Sequence, residues 1–412
     1  MTARARLWWV LAAHTTSSAG NTATAIAVPL HVHATTGSTA LVGVAAAVAL
    51  VPVVLGGVFG GVLVDRAGYR RTSVVSDLTG AVTIGLVPLL DATAGLPFAV
   101  LLVCLFATGL LDTPGRAARH ALLPELAAAA GVPLDRATGR MDASERLARL
   151  LGAPVAGVAV GVVGAPAVLA LDAATFAAAA LLVAVAVPAA TRGDAPVRTG
   201  YWRELAEGLA VVRGDRLLRA VVLMVACTNA FDAAYSSVVL PVFAQEHLGG
   251  GPALGLLVAL FGAGAVLGAL AYGAAGGRVR RRTAFSVAFL LAGGPRFLVL
   301  ATEPDLALAA VTAVLAGTAA GVINPVLGAA QLERVPPAAR ARVDGVVGAG
   351  AWAAMPLGQL GAGLALEHVA LPAVLVVLGA AYLSVTLSPF LSAAWAELDH
   401  APAGRVAPSG AR

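Results

Sequence analysis

Asp232 stands about 15 residues into a long apolar stretch, with Asn229 and Tyr235 three residues to either side, so that on a helix the three share one face. A carboxyl group beside an amide and a phenol can take up and release a proton or hold a polar ligand. It can equally be a hydrogen-bonded structural group. Arg296 is a second isolated charge inside an apolar stretch. It either snorkels to the nearer surface or pairs with a carboxylate such as Asp232. His14 and Asn21, seven residues apart, can share a helix face turned toward a central cavity. Asp77, Asp172 and the i, i+4 pair Asp112 and Arg116 are expected to be structural.

These charges matter because their surroundings are so apolar. Only 12% of the 412 residues are charged, 59% are hydrophobic, and the mean hydropathy is +0.88. Soluble domains carry roughly 25% charged residues. A charge at the centre of a bilayer costs about 2.5–3.5 kcal/mol, so each one needs a reason to be there. The 47 glycines and 23 prolines are scattered through the apolar runs, as membrane helices tolerate, and do not gather in a low-complexity segment. All 27 basic residues are arginine, dispersed among short connections, so the pI of 9.8 builds no single basic face and nucleic acid is not an expected partner. The two cysteines, Cys104 and Cys227, have no ligand spacing around them, and neither metal nor cofactor is expected.

Runs of about 20 apolar residues, the length that crosses a 30 Å hydrocarbon core, fall at 7–30, 39–64, 72–92, 96–115, 143–164, 167–188, 217–244, 252–276, 283–302, 305–330, 345–366 and 371–394. The fold class expected is an all-α polytopic membrane protein of 12 transmembrane helices. The first run, preceded by Arg4 and Arg6, is read as an uncleaved helix whose amino end lies inside. With both termini cytoplasmic, 26 of the 27 arginines fall on one side, Arg296 being the exception. The opposite turns carry His31, His33, Asp91, Glu246, His247, Glu303, Asp305, Glu367 and His368. Such a partition is what the positive-inside rule requires. It implies a multi-pass protein of the bacterial inner membrane, with lipid as partner and solvent.

The longest polar connection, near the middle, divides the chain into a six-helix half at 1–188, a cytoplasmic loop at 189–216, a second six-helix half at 217–394 and a cytoplasmic tail at 395–412. Tyr201 to Leu205 in that loop is either a surface-lying amphipathic helix or a plain linker. The halves echo each other. Arg140-Met141-Asp142-Ala143 matches Arg342-Val343-Asp344-Gly345 at an offset of 342 − 140 = 202, and Pro154 with Pro356 and Gly161 with Gly363 keep that offset. Arg70-Arg71-Thr72 matches Arg281-Arg282-Thr283 at an offset of 211. Spans five and eleven are therefore read as equivalent helices of a repeat.

Between spans two and three stands Gly61-Val62-Leu63-Val64-Asp65-Arg66-Ala67-Gly68-Tyr69-Arg70-Arg71. Its glycines permit close approach and a tight turn, Asp65, paired in sequence with Arg66, can cap the next helix or pair with a cation, and Arg70 and Arg71 hold the loop in the cytoplasm. The segment resembles the signature loop of the major facilitator superfamily, departing from it at Tyr69. The resemblance implies that the acidic residue helps lock the two halves in the outward-facing state. Gly152-Ala153-Pro154 with Gly157 and Gly161 approximates the span-five motif of that superfamily's antiporters; a proline and spaced glycines also suit any kinked, closely packed helix.

Pro114 to Leu126, Arg146 to Gly157, and Val335-Pro336-Pro337 through Pro356-Leu357-Gly358 resemble the macrolide-efflux and enterobactin-exporter branch, so the likeness covers nearly the whole chain. It implies a monomeric secondary carrier that exports a small amphiphilic molecule against an inward flow of protons. An uptake symporter or facilitator on the same fold is the alternative, and a polytopic membrane enzyme a remote one. The sequence contains no GxxxxGK[ST], HExxH or GxSxG segment.

Overall fold

The computed structural model describes residues 2–188, 201–275, 278–335 and 340–399; within them, the side chains of 57–63, 65, 66, 201–205, 208, 332, 340–342 and 344 lie outside the described residues. The first six helices are α1 (Ala3–Thr36), α2 (Thr39–Ala67), α3 (Tyr69–Thr93), α4 (Phe98–Ala130), α5 (Leu134–Val163) and α6 (Ala165–Ala186). Then follow α7 (Tyr201–Gly214), α8 (Arg216–Ala234), a π-helical turn (Tyr235–Val239), α9 (Leu240–His247), α10 (Gly251–Ala275), α11 (Arg281–Ala292), α12 (Gly294–Leu300) and α13 (Leu306–Arg334). The chain closes with α14 (Arg340–Ala353), α15 (Met355–His368), α16 (Leu371–Thr386), α17 (Ser388–Leu391) and a short 3-10 segment (Ala393–Leu398).

Ten helical segments among the described residues are long and apolar enough to cross a bilayer. The chain is a multi-pass membrane protein. The other two expected spans lie on α1, which carries His14 and a run of threonines and serines, and on the pair α14 and α15, interrupted at Ala354. Pro356 explains that interruption: it has no N–H, and its ring would press on the carbonyl of residue 352 in an unbroken helix. Proline also explains the other two irregularities. At Gly293-Gly294-Pro295 the helix breaks between α11 and α12, and the Tyr382 ring fills the space where a Cβ on Gly293 would lie. Before Pro241 the backbone widens into the π turn, where the Leu240 amide donates to the Tyr235 carbonyl.

The arginine-bearing segment from Arg116 to Arg149, expected on the cytoplasmic side, is mostly helix: α4 continues to Ala130 and α5 begins at Leu134, with Gly131 in the left-handed turn (φ +64°) between them. At 33 residues, α4 is about 50 Å long, well beyond a 30 Å hydrocarbon core. Alanine-rich segments with arginines at helical spacing carry on as helix past the membrane surface, and hydropathy alone ends the span too early. The signature segment behaves similarly. Its first seven residues end α2, Gly68 makes the turn at φ +83°, and Tyr69 opens α3. Tyr201 to Leu205 lies on the helix α7; residues 189–200 and 400–412, the rest of the expected loop and most of the tail, lie outside the described residues.

The chain packs into two compact units. The first comprises Met1–Val197, Ala233–Ala259 and Met355–Leu371, the second Arg198–Asp232, Leu260–Ala354 and Pro372–Arg412. In the first unit, α1 lies against α4, α5 and α6, α3 against α4 and α6, and α2 against α4 and α15. Leu7, Val10, Leu122, Leu123, Met141 and Val183 form a buried core there. In the second unit, α11 packs on α13 and α7 on α14. The Phe285 ring stacks on Trp395 at 5.4 Å between centroids, and Arg334 pairs with Asp215 at 3.0 Å and Glu397 at 2.9 Å. Large apolar side chains such as Val103, Val162, Leu181 and Leu315 remain exposed, as a lipid-facing surface requires.

Candidate functional site

In the second unit, Pro295 opens α12, and the first turn of that short helix carries Arg296. The guanidinium does not run out to a surface. It pairs with the Asp232 carboxylate on α8 and lies 5.5 Å from the ring centroids of both Phe261 and Phe297. Arg296 is buried, whereas the Asp232 side chain is 40% exposed. The carboxylate thus borders open space while its counter-ion is packed behind it. Tyr382 seats its ring 6.1 Å from both Phe231 and Phe297, walling the pair with aromatic surface. Asn229 does not join the pair: its amide nitrogen donates to the Ala351 carbonyl at 3.0 Å, tying α8 to α14. Tyr235 begins the π turn and is buried, so the helical face is shifted for the residues that follow it. A separate apolar cavity of about 700 Å³, bordered by Tyr272, Thr283, Val287, Leu291, Thr312 and Leu315, lies among α10 to α13.

The first unit holds a larger set of interior charges. Asp77 on α3 and Arg119 on α4 are 0% and 1% exposed and form a two-pronged pair, with Nη1 donating to the two carboxylate oxygens at 2.9 and 2.7 Å. Ser17 of α1 lies 3.5 Å from both partners. Asn21 donates to Asp112 at 3.1 Å, and Asp172 accepts from Thr24 and, at 3.0 Å, from Thr175. His14 is fully buried, its Nε2 standing 3.2 Å from Oε2 of Glu145, while Oε1 of Glu145 takes Arg116 and Arg149. His14 and Asn21 therefore share the polar face of α1, turned toward α4 and α5. Charges that span length alone would call cytoplasmic, Arg119 and Glu145 above all, lie inside the bundle. Only the i+3 and i+4 spacing of Arg116, Arg119 and His120 on an unbroken α4 could have revealed this.

Glycines control how closely the helices cross. A Cβ on Gly43 of α2 would sit 2.6 Å from the Gln359 carbonyl oxygen and 3.0 Å from Gly363 Cα on α15. A Cβ on Gly255 of α10 would sit 2.9 Å from Pro154 Cα and 3.1 Å from Gly157 Cα on α5. Gly161 meets Pro252 in the same crossing, while Gly152 faces Thr22 of α1 with ordinary clearance. Gly161 and Gly363 are the two residues related by the offset of 202, and both lie at close helix crossings. Next to them, Glu367 accepts from Ser38 Oγ at 3.0 Å, Thr39 Oγ1 at 3.2 Å and the Ala40 amide at 3.1 Å, and His33 pairs with Glu246 at 3.3 Å. These donors hold the Glu367 carboxyl below its ordinary pKa, the Ala40 amide most of all. All of these residues belong to the arginine-free ends of the helices.

In the signature segment Arg70 donates to the Ala184 carbonyl at 2.8 Å, near the end of α6, and Arg71 is exposed. The side chains at Gly61, Asp65 and Arg66, like those of Arg342 and Asp344 in the repeat, lie outside the described residues.

A family model described as the Major Facilitator Superfamily matches residues 10–251 and 222–411. The chain belongs to the major facilitator superfamily. Its curated relatives include the multidrug efflux pump Tap of Mycobacterium tuberculosis, 31% identical over 404 residues, with 95% of this chain and 94% of the relative covered. Tap of Mycolicibacterium fortuitum is 30% identical over 367 residues, covering 88% and 89%. Solved family folds superpose on it over nearly their full length. The nucleoside transporter NupG gives a TM-score of 0.73 at 14% identity, covering 94% of this chain and 98% of that one. A POT family transporter in complex with 5-aminolevulinic acid gives 0.71 at 13%, covering 93% and 95%. At such identities these two structures speak for the fold alone.

Proposed function

We propose that the chain is a drug exporter of the bacterial inner membrane, with both termini cytoplasmic and twelve spans in two six-helix halves. In this reading it works as a monomer and drives amphiphilic small molecules outward by alternating access as protons flow in. The observation that carries the proposal is the 31% identity to a multidrug efflux pump along 95% of the chain. The arginine distribution supports the orientation, in which the glycine crossings and the Glu367 contacts lie toward the outer end. Two structural features support the energetics. The Asp232 and Arg296 pair gives a carboxylate that borders open space a counter-ion to release when protonated. The buried pairs of the first unit supply further charges whose partners can change.

The test is accumulation of a fluorescent cationic dye in everted membrane vesicles energised by respiration. Uptake that collapses on adding a protonophore, and that Asp232→Asn abolishes while the protein remains in the membrane, is the expected result. Respiration-independent dye movement would overturn proton drive, and unchanged transport by Asp232→Asn would remove that residue from the mechanism. A drug-susceptibility panel on hosts with and without the gene defines the substrate class.

A further inference from the structure

Three side chains from three helices converge in the first unit with a donor set that the transport reading does not require. His14 on α1, His120 on α4 and Glu145 on α5 each offer a ligand atom, and these atoms all lie within 4.8 Å of one another. The geometry points to a binding site for a divalent transition-metal ion at His14, His120 and Glu145. Two imidazoles and one carboxylate, with a fourth position open, form a donor set that suits zinc and its borderline neighbours. Calcium and magnesium prefer oxygen alone.

The local arrangement supports this reading in two independent ways. His14 is fully buried, and its Nδ1 has no hydrogen-bond partner among the described residues, an unmet polar atom next to the cluster. Its ring stands edge to face with that of His120, 5.3 Å between centroids, so both imidazoles already face one small volume. Glu145 divides its oxygens: Oε1 is held by Arg116 and Arg149, while Oε2 stands toward His14. A ligating carboxylate is ordinarily steadied by such outer hydrogen bonds. Donors bonded at about 2.1 Å to a tetrahedral ion lie roughly 3.4 Å apart, so the donors, within 4.8 Å of one another, need to draw together by no more than about 1.4 Å, a rotamer adjustment shared between two side chains.

The guanidinium groups also set the strength. Arg116 and Arg149 offset the charge of Glu145, and Arg119, the next cation along α4, is occupied by Asp77. The site therefore binds more weakly than a structural zinc centre and favours an anionic donor in its fourth position. A bound ion would staple α1 to α4 and α5.

The experiment titrates the purified full-length protein in detergent with Co²⁺, whose visible d–d bands report low-symmetry nitrogen and oxygen coordination, and then displaces it with Zn²⁺. One equivalent per chain is expected, together with a rise in melting temperature with Zn²⁺ and none with Mg²⁺. His120→Asn should weaken Co²⁺ binding by about tenfold or more. His247→Asn and His368→Asn, at the other end of the helices, should leave it unchanged. His120 is less enclosed than His14, so its variant keeps the test open even if His14→Asn fails to fold. Absence of the bands, bands that persist in His120→Asn, or equal competition by Mg²⁺ would each overturn the site.

Discussion

Replacing Arg119 by methionine tests the interior charge network most directly. The substitution keeps the side-chain volume roughly constant but leaves Asp77, which is 0% exposed, with only Ser17 at 3.5 Å as a donor among the described residues. Removing one partner of a buried pair costs about 3–5 kcal/mol, because the remaining charge is desolvated without compensation. At about 1.4 kcal/mol per power of ten, that is a loss of two to nearly four powers of ten in the folding equilibrium. Asp77→Leu alone should cost a similar amount, since Arg119 Nε already lacks a partner among those residues and both Nη1 bonds would vanish. Combining Asp77→Leu with Arg119→Met removes both charges, and apolar replacement of a whole buried pair is often neutral or stabilising. The double variant should therefore recover most of the loss, with a coupling energy of at least about 3 kcal/mol in the double-mutant cycle. Thermal melting of the four purified proteins in one detergent measures it. If Arg119→Met melts with the parent, or if the double variant falls by the sum of the singles, Asp77 and Arg119 do not form an enclosed ion pair.

Other consequences are as specific. A valine at Gly363 must push α15 off α2, since even its Cβ would sit 2.7 Å from the Thr39 carbonyl oxygen and 2.9 Å from Gly43 Cα; a cysteine at Ser38 should then react several-fold faster with an impermeant maleimide, and an unchanged rate would show the crossing to be loose. Glu145→Gln breaks the pairs to Arg116, Arg149 and His14 together and should lower stability by about 2–4 kcal/mol, seen as an early melt; a melt matching the parent would refute it. Arg281 donates to Glu333 and holds its carboxyl below the ordinary 4.5. Because the folded pKa is the depressed one, this contribution is present above about pH 4.5 and lost as pH falls through the folded value. The half-exposed pair is worth no more than about 1 kcal/mol, so Glu333→Gln should melt slightly below the parent at pH 7 and together with it near pH 3; a gap that persists in acid would sink the assignment.

The membrane class and most of the apolar helices were legible because each rests on a property carried along the chain, the length of an apolar run. The partners of the charges were not. The pairing of Asp232 with Arg296, 64 residues away, could be named from the sequence only as one of two alternatives, since pairing of that kind is decided by how helices pack. Glu145 was passed over for a simpler reason. With arginines on either side it resembles a solvated segment, and only the unbroken helix from Leu134 turns it inward beside His14. The hydrogen bond from Asn229 to the Ala351 carbonyl and the π turn that begins at Tyr235 were likewise invisible, because both depend on contacts and pitch that residue spacing does not encode.

That change of pitch makes the stretch from Tyr235 to Val239 a register device. A π turn holds one residue more than the α turn it replaces, so everything after Val239 is set about 100° around the axis from where an unbroken α-helix would put it. Deleting a single residue there would rewind the turn to ordinary pitch and swing Phe243, Glu246 and His247 together by that angle, carrying Glu246 away from His33 with no substitution at either. In this part of the chain, spacing between residues itself sets which side chains meet, and a one-residue deletion moves more of them than a replacement does.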